Sequence, residues 1–113
     1  MKFNVFVPAL AFLCALPVIA DRVPYESSAR IPNVQQSDAA EHAAMVKVTK
    51  ISLSQAQAIA QKAAPKAKLV KSELDSEDGN VVYEVELLEN GMERKVGIDA
   101  GNGKILQNYL DRD

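Results

Sequence analysis

The chain predicts a small α+β domain, one α-helix packed on a three- to four-stranded antiparallel β-sheet. Three observations predict it. Val81, Tyr83, Val85 and Leu87 alternate with Val82, Glu84, Glu86 and Leu88, the period of a half-buried strand. Asn90-Gly91 follows, a pair that tolerates the positive φ of a type I′ turn, and Met92, Val96 and Ile98 carry the apolar face back. Upstream, Leu53, Ala56, Ile59, Ala60 and Ala63 recur at helical spacing.

Residues 1–20 read as a secretory signal peptide. Lys2 precedes an apolar run from Phe3 to Ile19, and the stretch closes on Val18-Ile19-Ala20, with small residues where cleavage requires them. A retained anchor needs about 20 uninterrupted apolar residues, and Pro8 and Pro17 break this run. No stable membrane anchor is expected after cleavage at Ala20, and the protein is expected to be exported, to a periplasm or the medium. Lipid attachment at Cys14 is disfavoured because Leu13, not a small residue, stands before it.

Residues 21–47 read as a flexible tether. Pro24, Ser27, Ser28, Pro32 and two glutamines interrupt any apolar periodicity. Within it, composition allows a short helix over 38–46 behind Ser37. Ala40 stands where a capping box wants Glu or Gln, and the apolar positions are nearly all alanine, so little burial is expected.

Residues 48–113 form the expected domain. Ser52 with Gln55 three residues on makes a capping box, Ile51 and Ala56 stand where a hydrophobic staple packs, and Pro65 ends the helix at Ala64. Lys66 to Asp78 reads as the first strand, with Val70, Ser72 and Leu74 facing one way and Lys71, Glu73 and Asp75 the other. Asp78-Gly79-Asn80 turns the chain into the hairpin, and Asp99 to Gly103 turns it into a last strand over 104–109. Laying the helix across one face buries both apolar surfaces at once. Tyr83, Val85, Leu87, Val96, Ile98, Leu53 and Ile59 are expected to supply most of the core.

With 113 residues the chain holds one domain, not two with separate cores. Its formal charge of −2 becomes one unit more acidic without Lys2, and no basic patch points to a nucleic-acid partner. The single cysteine lies in the signal stretch, which removes disulfide frameworks and Cys-based metal sites from consideration. His42 is the sole histidine and lies in the tether, so no Ser-His-Asp arrangement or His-rich metal site assembles. Gly101-Asn102-Gly103 lacks the helix and Lys-Ser/Thr pair of a phosphate loop and reads as a turn. No catalytic residue, cofactor or metal ligand is assigned, and the chain is expected not to be an enzyme.

Ile51-Ser52-Leu53 opening an Ala-rich helix, then Gly79 through Glu86, then Val96-Gly97-Ile98-Asp99-Ala100-Gly101-Asn102-Gly103-Lys104-Ile105-Leu106, together resemble the PepSY domain over about residues 48–110. The resemblance implies one helix against an antiparallel sheet. It also implies a place among the modules found in propeptides of secreted metallopeptidases, in extracytoplasmic parts of bacterial membrane proteins, and as small free-standing exported proteins. For the propeptide kind, an inhibitory or chaperone-like role is proposed. This chain resembles the free-standing kind, which is expected to find its target without the tethering that raises a propeptide's effective concentration. It departs from the family at Arg94, where an aromatic residue often stands on the core face, and at Gly97, which leaves a gap between Val96 and Ile98.

The candidate partner-binding face is charged: Lys71, Glu73, Asp75, Glu84, Glu86, Glu93, Arg94 and Lys95. The bland reading is a solvated sheet face; the functional one is a surface for a protein partner, a peptidase or another envelope protein. Arg94 enters on the enrichment of arginine at interfaces. Calcium needs six to eight converging oxygens, which a sheet face spreads apart. Asp99 with Asn102 offers a further cation site, against which stands the habit of a turn Asp of accepting its own backbone amides. An exposed sheet edge is another way to bind, and Lys66, Lys68 and Lys71 guard the first strand, leaving the opposite edge. The expected function is a non-enzymatic exported module that modulates or inhibits a peptidase by reversible contact. The alternative is a ligand- or cation-responsive accessory of an envelope sensing system.

Overall fold

A computed structural model describes residues 23–112. The expected signal peptide lies outside them. The described elements are α1 (Asp38–Val48), α2 (Leu53–Ala63), β1 (Lys68–Glu77), β2 (Asn80–Glu89), β3 (Met92–Asp99) and β4 (Ile105–Asp111). The strands form one antiparallel sheet in the order β1-β2-β3-β4.

Two helices, not one, lie with this sheet. Ser37 caps α1 by accepting from the Ala40 amide, acidic Asp38 and Glu41 sit in its first turn, and Lys47 sits in its last. Those charges suit the helix dipole, and they help a segment with almost no apolar stripe to form a helix. Its docking is slender. Met45 is buried, Ala44 and Val48 pack on the core, and the Ser76 hydroxyl donates to Glu41 at 2.6 Å.

α2 begins and ends where its caps dictate. The Gln55 amide donates to the Ser52 hydroxyl at 3.1 Å while the Ser52 amide donates to the Gln55 side chain at 2.7 Å. The helix stops at Ala63, and the Gln61 amide group then donates to the carbonyls of Ala64 and Ala67. The buried row differs from the expected stripe. Ala56, Ala60 and Ala64, four residues apart, face the sheet, whereas Leu53 is 42% exposed and Ala63 is exposed. Alanine spacing lets the helix lie close to the strands, and that orientation turns Leu53, at the helix's first position, outward. Ile59 is half-buried against the core, and the Tyr83 hydroxyl ties sheet to helix by donating to the Ile51 carbonyl at 2.9 Å.

The hairpins follow their turn residues. Asp78 and Gly79 join β1 to β2, and Asn90 and Gly91 join β2 to β3, all four with positive φ as a type I′ turn requires. Val81, Tyr83, Val85, Leu87, Val96 and Ile98 are buried, as expected of the helix-facing side. Val70 is skipped where the β1–β2 register shifts between Leu69 and Lys71, and it is 57% exposed rather than sharing the face of Ser72 and Leu74.

The segment expected to be a flexible tether is docked over residues 27–31. β3 ends at Asp99, opposite Val82, so Asn80 and Val81 at the start of β2 extend past it. Residues 29–31 take the vacated place. The Val81 amide donates to the Ala29 carbonyl at 2.8 Å and the Ile31 amide to the Gly79 carbonyl at 2.9 Å, around an antiparallel bridge of Arg30 with Asn80. Side chains alternate as in any strand: Ala29 and Ile31 join the core, while Ser28 and Arg30 reach Asp99 and Asn80.

Candidate functional site

The helices cover one face of the sheet, and strand alternation sends the expected charged residues to the other. Register fixes their neighbours. Glu73 lies opposite Glu84, Lys71 opposite Glu86, Glu86 opposite Lys95, and Glu93 opposite both Leu88 and Asp111. Seven of the eight expected residues therefore share one surface: Lys71, Glu73, Asp75, Glu84, Glu86, Glu93 and Lys95.

Arg94 does not belong with them. It alternates with Glu93 and Lys95 and so falls on the helix side, opposite Leu87 and Leu110. Its guanidinium makes a two-pronged pair with Glu89, at 2.7 and 3.1 Å, and a third bond to Asn108 at 2.5 Å. A charge beside an apolar core persists by being paired in this way. The hydrogen bond from Arg94 holds the Glu89 carboxyl below its usual range. Arg94 is thus a structural partner of Glu89 at the sheet's far end.

The acidic residues crowd at the β1–β2 end. One carboxylate oxygen from each of Glu73, Asp75 and Glu84 lies within 4.8 Å of the others. Like charges directly opposite, as in Glu73 and Glu84, disfavour ionisation. Burial, then the charges of Asp75, Glu73 and Glu86, push the Glu84 carboxyl up, and Lys95 only partly offsets them. Glu77, which continues the same alternation, is raised to about 6 by burial, by a hydrogen bond with Asp75 and by the neighbouring carboxylates. Tyr25 of the docked segment joins this end; burial, then Glu77, Glu84, Asp75 and Asp78, push its phenol up to about 12. The other end is better balanced, with Lys95 3.6 Å from Asp111.

Between those ends Gly97 leaves the notch its missing side chain implies. It lies between Glu84 and Gln107 in the register, and a small hollow of about 20 Å³ opens there beside Lys95 and Tyr109. Tyr109, opposite Lys95, is 46% exposed.

Asp99 belongs to the same face and is 2% exposed. Burial pushes its carboxyl up, yet bonds from the Ser28 amide and hydroxyl and from the Gly101 and Asn102 amides outweigh this and hold it below its usual value. The turn amides are those expected of an Asp that begins a tight turn. Ser28 was not foreseen. Val82, the cross-strand partner of Asp99, is fully buried there although it faces away from the helices.

Glu77 was legible as the next step of the 71, 73, 75 alternation, and Asp111 as the continuation of Gln107 and Tyr109. Tyr25 carried no signal, since its position depends on how the segment before α1 docks. His42 is exposed on α1, a different element from the carboxylates.

A four-stranded antiparallel meander with two helices on one face and a charged opposite face defines a small α+β domain. Within that class, the family model described as PepSY, peptidase propeptide and YPEB domain, matches residues 50–108, and the chain belongs to this family. Neither the curated proteins nor the solved structures gave a match. The matched span starts after α1, so the docked segment and α1 lie outside it. Ala29, Ile31 and Met45 nevertheless contribute to the buried core.

Proposed function

We propose that the chain is a non-enzymatic, exported binding module that contacts a protein partner, a secreted or envelope peptidase, reversibly through the outer face of its sheet. The observation that carries this reading is the unshared negative charge at the β1–β2 end. Burial first, and then the neighbouring carboxylates, hold Glu77 and Glu84 above their usual range, and Lys95 offsets this only in part at Glu84, so the cluster lacks a second cation. A partner that brings a basic side chain against Glu84, with Tyr109 and the notch over Gly97 beside it, supplies that cation. Family membership supports a peptidase as the partner, since the family's description names peptidase propeptides. Among the described residues no helix is long and apolar enough to cross a membrane.

Edge pairing is the secondary route. β1 and β4 are the outer strands. Both outer strands pair with a register shift, but β1 carries Lys68 and Lys71 whereas β4 holds no lysine, which leaves β4 the more open to an added strand.

The test is inhibition of a secreted zinc metallopeptidase by the full chain and by the Glu84→Lys/Glu86→Lys variant. Stoichiometric inhibition weakened by charge reversal supports the reading; inhibition unaffected by reversal removes the face from it. A cation-responsive accessory role is favoured by one observation, the three converging oxygens of Glu73, Asp75 and Glu84. That role requires thermal stability to rise with calcium and fall with chelator.

A further inference from the structure

The docked segment deserves a role of its own, because the fold is shaped around it. Gly101 does not adopt a positive φ, so its turn does not require glycine for backbone reasons. A Cβ at that position meets the Ser28 hydroxyl and, at 3.3 Å, the Ala29 amide. A Cβ at Gly79 meets the Ile31 carbonyl oxygen at 2.7 Å. The two glycines are the walls of a slot beside the start of β2. Its floor is the hydrogen-bonding edge of Asn80 and Val81. There the Ser27 amide donates to the Asn80 side chain at 2.9 Å and the Ser27 hydroxyl to the Val81 carbonyl at 2.7 Å.

The occupant is bound as a short peptide is bound by strand addition. Backbone bonds hold it, and two alternate side chains enter apolar positions. Ser28 adds a clamp, giving both amide and hydroxyl to Asp99. The anchor is small. Only Ala29 and Ile31 place buried hydrophobic side chains, and residues 32–37 between it and α1 are all exposed. Few buried contacts set against the entropy of ordering a strand mark a locally weak element.

We propose that residues 27–31 are a displaceable strap filling a peptide-binding slot on β2, so that an extended peptide of the same pattern takes its place when the strap leaves. That pattern is a hydroxyl residue, a small residue, any residue and an aliphatic one. The slot recognises it through Asp99, the wall at Gly101 and the core pocket of Ile31. This inference stands apart from the outer-face reading, since it uses the edge of β2 and not the charges of Glu84 and Glu86.

The test uses the full chain and a fluorescent peptide spanning Val23 to Asn33. Ala29→Asp puts a carboxylate into the buried strap position and ejects the strap. The peptide is expected to bind this variant at least about tenfold more tightly than the wild-type chain, whose slot is filled. Adding Gly101→Val to Ala29→Asp is expected to abolish that binding. Equal binding by wild type and variant, or no binding by a folded variant, overturns the proposal; so does global unfolding of Ala29→Asp, which makes the strap integral to the fold. Hydrogen exchange on the wild-type chain gives an independent reading. The Val81 and Ile31 amides are expected to exchange on the order of tenfold or more faster than those of Val85 and Val96. Equal protection overturns the proposal.

Discussion

Ser28 closes on Asp99 with both its donors, the amide at 2.6 Å and the hydroxyl at 2.7 Å, across 71 residues of sequence. This clamp joins the segment before the helices to the turn between the last two strands. Ser28→Ala removes one of the four donors to a buried carboxylate and should cost about 1–3 kcal/mol in urea denaturation. Asn102→Ala leaves the backbone donor in place and should cost less than about 1 kcal/mol, which separates the clamp from the turn.

Acid should act twice, with opposite signs. Glu77 has a folded value of about 6, above its ordinary 4.5, so its stabilising contribution is complete below about 4.5 and is lost as pH rises through 6. Asp99 is held below its ordinary 3.8, so its contribution is present above 3.8 and is lost as pH falls through the lower folded value. Tm should therefore rise from pH 7.5 to 5 and then fall in strong acid. Glu77→Gln should flatten the rise and leave the acid fall. A Tm that drops steadily from neutrality contradicts the crowding of carboxylates at this end.

The core is centred on β2 and the alanine row of α2. Leu87 is fully buried and Leu53 is 42% exposed. Leu87→Ala should cost about 2–5 kcal/mol, a large share of a small domain's folding free energy. Leu53→Ala should cost well under half of that. Equal costs, measured by denaturant midpoints, contradict the rotation of α2 described above.

Arg94 provides an internal control. Its bonds to Glu89 and Asn108 lie on the helix side. Arg94→Ala should lower stability only slightly, as for a solvent-screened ion pair, and leave partner binding unchanged. Loss of binding in a folded Arg94→Ala chain places the contact surface on the wrong side of the sheet.

What the sequence reveals here follows from how local each signal is. The hairpins rest on two-residue turns and period-two alternation, and α2 on a capping box and a proline, so all were readable at their positions. The outer face followed from the same alternation, and so did the place of Arg94 on the core face. It joined the candidate partner-binding residues only through the enrichment of arginine at interfaces, which does not say which side of a sheet a side chain takes. α1 has too few apolar residues to announce its docking; only Met45 is buried. The strap offers just Ala29 and Ile31, one step of alternation, too short to distinguish from a linker. Its place depends on β3 stopping one residue short of Val81, a fact of pairing that no window of sequence contains. Leu53 misled for a related reason, since helical spacing defines a stripe but not which row of it meets the sheet.

Residue-by-residue NMR mapping of the peptidase contact tests the central claim most directly. A labelled chain titrated with a secreted zinc metallopeptidase should shift or broaden amides at Glu73, Asp75, Glu84, Glu86 and Lys95, while those of α2 stay in place. Perturbations confined to α1, α2 and the Arg94–Glu89 end would contradict the account, because they would put the partner on the face the helices already occupy.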